Sequence, residues 1–233
     1  MEKKGRELVP GGRITKGEAW RYSFGVFGQN LSCALMMNWF FVFCTDVLYI
    51  EGAVIGMVLG IARVWDAVND PLMGTIIDRH VFKNGEKFRP LLRITPIITG
   101  IIVILLFTDW GFQGEMPQAI YILIFYLAYD MIFTIQDVSM WSMTSVMTDV
   151  PHERDKISQF GRIMAAIGFG AVGIFPILMD YLSKMGMPKK QIFFGGAVIF
   201  GMGGMLLSML CSTAKEGLST KVCKFILPIL SAA

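Results

Sequence analysis

The sequence predicts an all-α integral membrane protein with six transmembrane helices. Three observations carry that prediction. First, 54% of the 233 residues are hydrophobic and only 17% are charged, with a mean hydropathy of +0.57; soluble domains average about 25% charge. Second, the chain divides into six apolar stretches, each near the ~20 residues that cross a bilayer. Third, Lys and Arg gather in alternate connections between those stretches. The charge deficit excludes a disordered chain, a nucleic-acid-binding tail and most soluble enzymes. A net charge of +3 implies no polyanionic partner, nucleic acid included.

In order, the stretches are 22–45, 52–77, 90–108, 117–147, 160–182 and 191–211. Asp46 to Glu51 is a short polar connection, and Asp78 to Arg89 a charged loop with an Asn84-Gly85 turn signal. Asp109 to Pro117 is rich in Gly, Asp and Glu, Asp149 to Lys156 is charged, and Lys184 to Lys190 is basic with Pro188. Residues 1–18 read as a polar tail and 19–211 as the membrane bundle. The tail holds no apolar core followed by a small-residue cleavage site, so no signal peptide is expected.

A cytoplasmic N-terminus places seventeen of the twenty-one Lys and Arg residues inside, as the positive-inside rule requires. The first two outer connections then contain none. Six spans return the C-terminus to the same side, in a multi-pass protein of the plasma or bacterial inner membrane. Lys184, Lys189 and Lys190 fall outside, where the topology gives them no role, and Arg63 falls at membrane depth.

The four cysteines lack CxxC spacing; Cys33, Cys44 and Cys211 lie in or beside apolar stretches and read as small core hydrophobes. Ala197, Gly201, Gly204 and Ser208 line one face of the sixth stretch, which permits close helix approach. Gly161, Ala165 and Gly168 do the same for the fifth. Trp20 and Trp110 read as interface anchors.

The charges at membrane depth are the functional signal. Arg63, Asp66 and Asp70 follow i, i+3, i+7 on one face of the second stretch, with Asn69 beside them. Asp130, Thr134, Asp137 and Trp141 follow i, i+4, i+7, i+11 on one face of the fourth. Each charge costs about 2.5–3.5 kcal/mol on insertion scales, so the five together cost on the order of 12–17 kcal/mol unless compensated. They therefore face an aqueous cavity, pair with each other, or hold a cation. Four carboxylates against one arginine argue against a purely structural ion-pair network, although Arg162 near the start of the fifth stretch adds a second positive group. Asp66 and Asp70 lie one turn apart. At about 6 Å they repel by roughly 3 kcal/mol at an effective dielectric of 20, which one proton or one bound cation relieves. Asn69 and Thr134 add neutral oxygens suited to Na⁺; the same pair equally suits a proton. Trp141, on the face of Asp130 and Asp137, reads either as a sugar-stacking ring or as core packing.

The run Trp65-Asp66-Ala67-Val68-Asn69-Asp70-Pro71-Leu72-Met73-Gly74 resembles the glycoside–pentoside–hexuronide:cation symporters, the melibiose-permease-like family of the major facilitator superfamily. Tyr22 to Gly28, Thr45-Asp46, Gly85 to Pro90, Thr134 to Val138 with Trp141-Ser142, Glu153-Arg154 and Arg162 continue the resemblance in order over about residues 20–212. It implies that Asp66, Asn69, Asp70 and Thr134 belong to the coupling-cation site. It likewise implies that Asp137, Trp141 and Arg162 contact sugar and that Arg63 belongs to the charge network. Asp78, Arg79, Lys87 and Arg89 match the cytoplasmic loop that latches the two halves, although positive-inside topology also accounts for that loop. No cofactor is implied beyond a coupling Na⁺ or H⁺.

Two features depart from the pattern. Gln29 and Asn30 stand where melibiose permeases carry a Lys-Asp pair, which shifts recognition from galactosides toward another glycoside or pentoside. Asp130 is an additional acid, assigned with them to substrate recognition or else to a different coupling arrangement. The family has twelve helices in two halves. The chain matches the N-terminal six, with 212–233 as the start of the central cytoplasmic loop. The expected partners are a sugar or glycoside, the bilayer, and either a C-terminal half or a second six-helix chain. The expected activity is symport by alternating access, without enzymatic chemistry. The alternatives are a lysolipid or amphipath carrier and a non-transporting membrane assembly protein.

Overall fold

The computed structural model describes residues 14–79, 82, 86–148 and 150–214, apart from the side chain of Asp78. Lys83, Cys223, most of the 1–18 tail and 215–233, the bulk of the expected central loop, lie outside the described residues. The described residues form helices and connections and no strand. The helices are α1 (Lys16–Asp46), α2 (Gly52–Arg79), α3 (Arg89–Leu106), α4 (Glu115–Met147), α5 (Pro151–Ala171), α6 (Phe175–Lys184), α7 (Lys189–Gly196) and α8 (Gly203–Ser208). A 3₁₀ turn at Val172–Ile174 joins α5 to α6 as the fifth span. A π-helical segment at Ala197–Met202 joins α7 to α8, and with the 3₁₀ turn Met209–Thr213 these make the sixth. All six are long and apolar enough to cross a membrane.

The fifth helix begins at Pro151, within what the sequence marks as a charged loop, and not near residue 160. Apolarity reports the part of a helix inside the bilayer, whereas the helix itself continues through polar residues into water. Pro151 at the first turn and Glu153 near the helix N-terminus favour the earlier start. At the start of α1, Thr15 Oγ1 accepts from the Glu18 amide at 3.3 Å and Glu18 Oε2 accepts from the Thr15 amide at 3.1 Å, a reciprocal cap.

The small-residue faces bring the helices together. A Cβ on Gly204 would meet the Gly28 carbonyl oxygen at 2.5 Å, and one on Gly201 would meet Val103 Cγ1 at 2.6 Å. The sixth span therefore crosses α1 and α3 at nearly backbone contact. Gly168 lies equally close to the Phe27 carbonyl of α1. The helices alternate in direction, so Thr15, Arg89, Pro151 and Thr213 share one end, the near end. Asp46, Asp109, Glu115 and Lys189 share the other, the far end. Near the far end, Phe40, Phe43, Phe107, Phe175 and Phe193 are fully buried and in ring contact. A second apolar cluster, around Tyr22, Met140, Met143, Ile157 and Cys211, fills the near end.

Candidate functional site

Between the two apolar clusters, α1, α2 and α4 enclose an open cavity of about 280 Å³. Its polar lining is Arg63, Asp66 and Asp70 from α2 and Asp130, Thr134 and Asp137 from α4. The helical periodicity puts each set on one face, and the packing of α2 on α4 turns those faces toward each other. Met36, Met37 and Cys33 of α1 and Tyr126, Tyr129 and Phe133 of α4 supply the less polar wall.

Four hydrogen bonds organise the polar groups. Arg63 Nη1 donates to Asp66 Oδ2 at 3.3 Å within α2, and Asp130 lines the same cavity from α4. One turn nearer the termini, Asn69 Nδ2 donates to Thr134 Oγ1 at 3.3 Å, and Thr134 Oγ1 donates to Asp70 Oδ1 at 3.1 Å. Gln29 Nε2 of α1 donates to Asp137 Oδ1 at 2.9 Å.

The site is rich in acceptors. Four carboxylates share the cavity with one guanidinium. The buried Oδ1 of Asn69, Oε1 of Gln29 and Oδ2 of Asp130 have no hydrogen-bond partner among the described residues. Unpaired buried acceptors are costly, and a cation or a hydroxyl donor satisfies them. No trio of His, Cys, Asp or Glu converges as a metal site among the described residues. The oxygen set at Asp70, Thr134 and Asn69 mixes carboxylate, hydroxyl and amide, the hard neutral-and-anionic donors that a small monovalent cation accepts.

The remaining sequence candidates sit apart. Asn30 turns its amide back onto its own helix, donating to the Val26 carbonyl at 2.9 Å, and does not line the cavity. Trp141 packs with the near-end cluster, beside Gly161 of α5. Arg162 is exposed, makes no hydrogen bond or ion pair among the described residues, and does not line the cavity. In the near-end loop, Arg89 Nε donates to the Ser212 carbonyl at 2.8 Å and Nη1 to Glu86 Oε1 at 2.6 Å, tying α3 to the end of the sixth span. The Lys87 ammonium lies 5.1 Å from the centre of the Phe88 ring, and Arg79 is exposed. Tyr126 and Tyr129 escaped the sequence reading. Tyr126 precedes Asp130 by four residues, so extending the polar stripe one turn would have found it; Tyr129 left no such signal.

Comparison with known proteins bears on this geometry. A family model described as "MFS/sugar transport protein" matches residues 21–222. The chain is 30% identical over 200 residues to a lactose permease of Lactobacillus delbrueckii subsp. bulgaricus, covering 81% of this chain and 32% of that protein. It is 33% identical over 178 residues to the putative glycoside/cation symporter YagG of Escherichia coli, covering 75% and 37% respectively. It is 28% identical over 177 residues to a raffinose carrier protein of Pediococcus pentosaceus, covering 70% and 28%. The chain thus spans about a third of the length of these relatives.

Proposed function

From the premise that this chain belongs to the MFS/sugar transport family, a family of transporters and not enzymes, we propose that it forms the N-terminal six-helix half of a cation-coupled sugar or glycoside symporter. A second half, in the same polypeptide or supplied by another six-helix chain, completes it. The supporting observation is the cavity itself: a carboxylate–hydroxyl–amide chain through Asp70, Thr134 and Asn69 lies beside the Asp137–Gln29 pair.

In this reading Na⁺ or H⁺ binds among Asp66, Asn69, Asp70 and Thr134 and neutralises crowded carboxylates. Sugar hydroxyls then bond Asp137, Gln29 and Asp130, and the cavity opens toward the second half. Trp141 and Arg162 reach the sugar only from the rim, and Asn30 only if its amide leaves the Val26 carbonyl. With both sites filled, the halves rock and expose the site to the other side. The basic near end faces the cytoplasm, which puts both ends of the chain inside. A cavity with four carboxylates suits a polyol better than an acyl chain, so the amphipath reading has less support.

The test uses the complete transporter in proteoliposomes, with a panel of labelled galactosides, other glycosides and pentosides and an imposed Na⁺ or proton gradient. One gradient should drive uptake, and Asp70→Asn should abolish that dependence. Gradient stimulation unchanged in Asp70→Asn overturns the cation assignment. Reading the genomic DNA beyond the Ala233 codon distinguishes a continuous second half from a separate chain.

A further inference from the structure

The three lysines that topology leaves unexplained all find carboxylates. Lys184 pairs with Asp180 one turn back on its own helix at 2.6 Å. Lys189 and Lys190 reach other helices. Lys189 Nζ lies 2.9 Å from Asp46 Oδ2 at the end of α1, and Lys190 Nζ lies 2.9 Å from Asp109 Oδ2 just beyond α3. Two neighbouring residues at the start of the sixth span thus hold two different helix ends. We propose that Lys189 and Lys190 form a two-armed ionic clasp that binds the far ends of α1, α3 and the sixth span into one block.

Exposed ion pairs generally contribute little, and all four side chains are partly exposed here. Three features set this pair of bridges apart. Asp109 is fixed in advance, because its Oδ1 accepts from the Gly111 amide at 2.8 Å, so less freedom is lost when Lys190 binds. The bridges join the three helices whose rings meet beneath them: Phe43 to Phe107 at 5.1 Å, Phe43 to Phe193 at 5.5 Å. Asp46 follows Phe43 by three residues, Asp109 follows Phe107 by two, and Lys190 precedes Phe193 by three. The clasp therefore lies over the plug that it ties. Further bonds extend the block: Tyr121 Oη of α4 donates to the Leu105 carbonyl of α3 at 3.0 Å, and the Glu51 amide before α2 donates to Glu115 Oε1 of α4 at 2.6 Å.

The consequence is mechanical. The far end of this six-helix unit stays shut within itself, and access to the acidic cavity runs through its open α1–α2–α4 face. This holds whatever the cargo.

Charge reversal tests it in the detergent-purified chain. Lys190→Asp and Asp109→Lys alone should each lower Tm by roughly 2–4 °C. Each should also speed hydrogen exchange several-fold in the segments ending α1, ending α3 and opening the sixth span. The combined swap should recover at least half of both effects. Loosening confined to the substituted segment, or a swap as loose as the single variants, overturns the clasp. Should the variants fail to fold, the unsubstituted chain decides. Exchange in those three segments rises between 0.05 and 0.5 M NaCl if the clasp holds them, and salt-independent exchange there overturns it.

Discussion

The far-end plug and the acidic cavity meet along α1, yet they are built on opposite principles. In the plug, five buried rings from α1, α3, α6 and α7 fill the space between helices, and charges appear only at the boundary, paired. In the cavity, carboxylates outnumber cations, buried acceptors lack partners, and space remains. The difference extends along whole helices: 44% of the most apolar stretch of α3 is buried in the chain, against 22% for α2. Aromatic packing gives a rigid body, whereas the proposed transport site retains uncompensated charge. α2 carries half of those carboxylates, and its most apolar stretch, like that of the fifth span, is the least buried of the six.

The largest break in this contrast comes from emptying the plug. Phe107 is fully buried against Phe40, Phe43 and Phe193, so Phe107→Ala should cost about 3–5 kcal/mol. Thermal unfolding of the purified chain measures it, and a loss below about 1 kcal/mol means that the rings do not carry the fold.

Substitution in the cavity should act in the opposite direction. Asp130→Asn keeps the shape and removes one of the four cavity carboxylates. At an effective dielectric of about 20, relieving repulsion among the cavity carboxylates then predicts a gain on the order of 1–3 kcal/mol. A lower Tm in Asp130→Asn would show that this carboxylate is held by compensation and not crowded.

The smallest effect belongs to pH at the clasp. The Gly111 amide first, and Lys190 second, hold the Asp109 carboxyl below its ordinary range. A depressed folded-state value means that Asp109 stabilises fully above its unfolded value of about 3.9 and loses that contribution as pH falls through the lower folded value. The Tm difference between the unsubstituted chain and Asp109→Asn should be constant above about pH 5 and shrink toward pH 3. A difference that grows on acidification contradicts the ion pair.

Much of this was legible in the residues. Six apolar stretches became six spans because no other regular structure satisfies so much backbone within lipid except a closed barrel. Asp66, Asp70, Asp130 and Asp137 were conspicuous because charge is rare at membrane depth. Local periodicity placed them on two faces but gave no distance between those faces. Nor does a resemblance report rotamers: Asn30 stands at a family substrate position, yet its amide bonds the Val26 carbonyl one turn back. Trp141 shares a face with Asp137, yet the glycine at 161 draws α5 close enough for its ring to pack beside that helix.

The sequence by itself determined the membrane class, the number of spans and the presence of an acidic site, because each follows from the energetic cost of putting that residue type into hydrocarbon. Tertiary structure alone decided that α2 turns its carboxylates toward α4, that Gln29 joins Asp137, and that two lysines near the sixth span's start hold Asp46 and Asp109. Those contacts link residues 64 to 143 positions apart. The close crossings at Gly28, Gly168 and Gly204 hold α5 and the sixth span against α1, whereas α2 meets α4 without a glycine crossing.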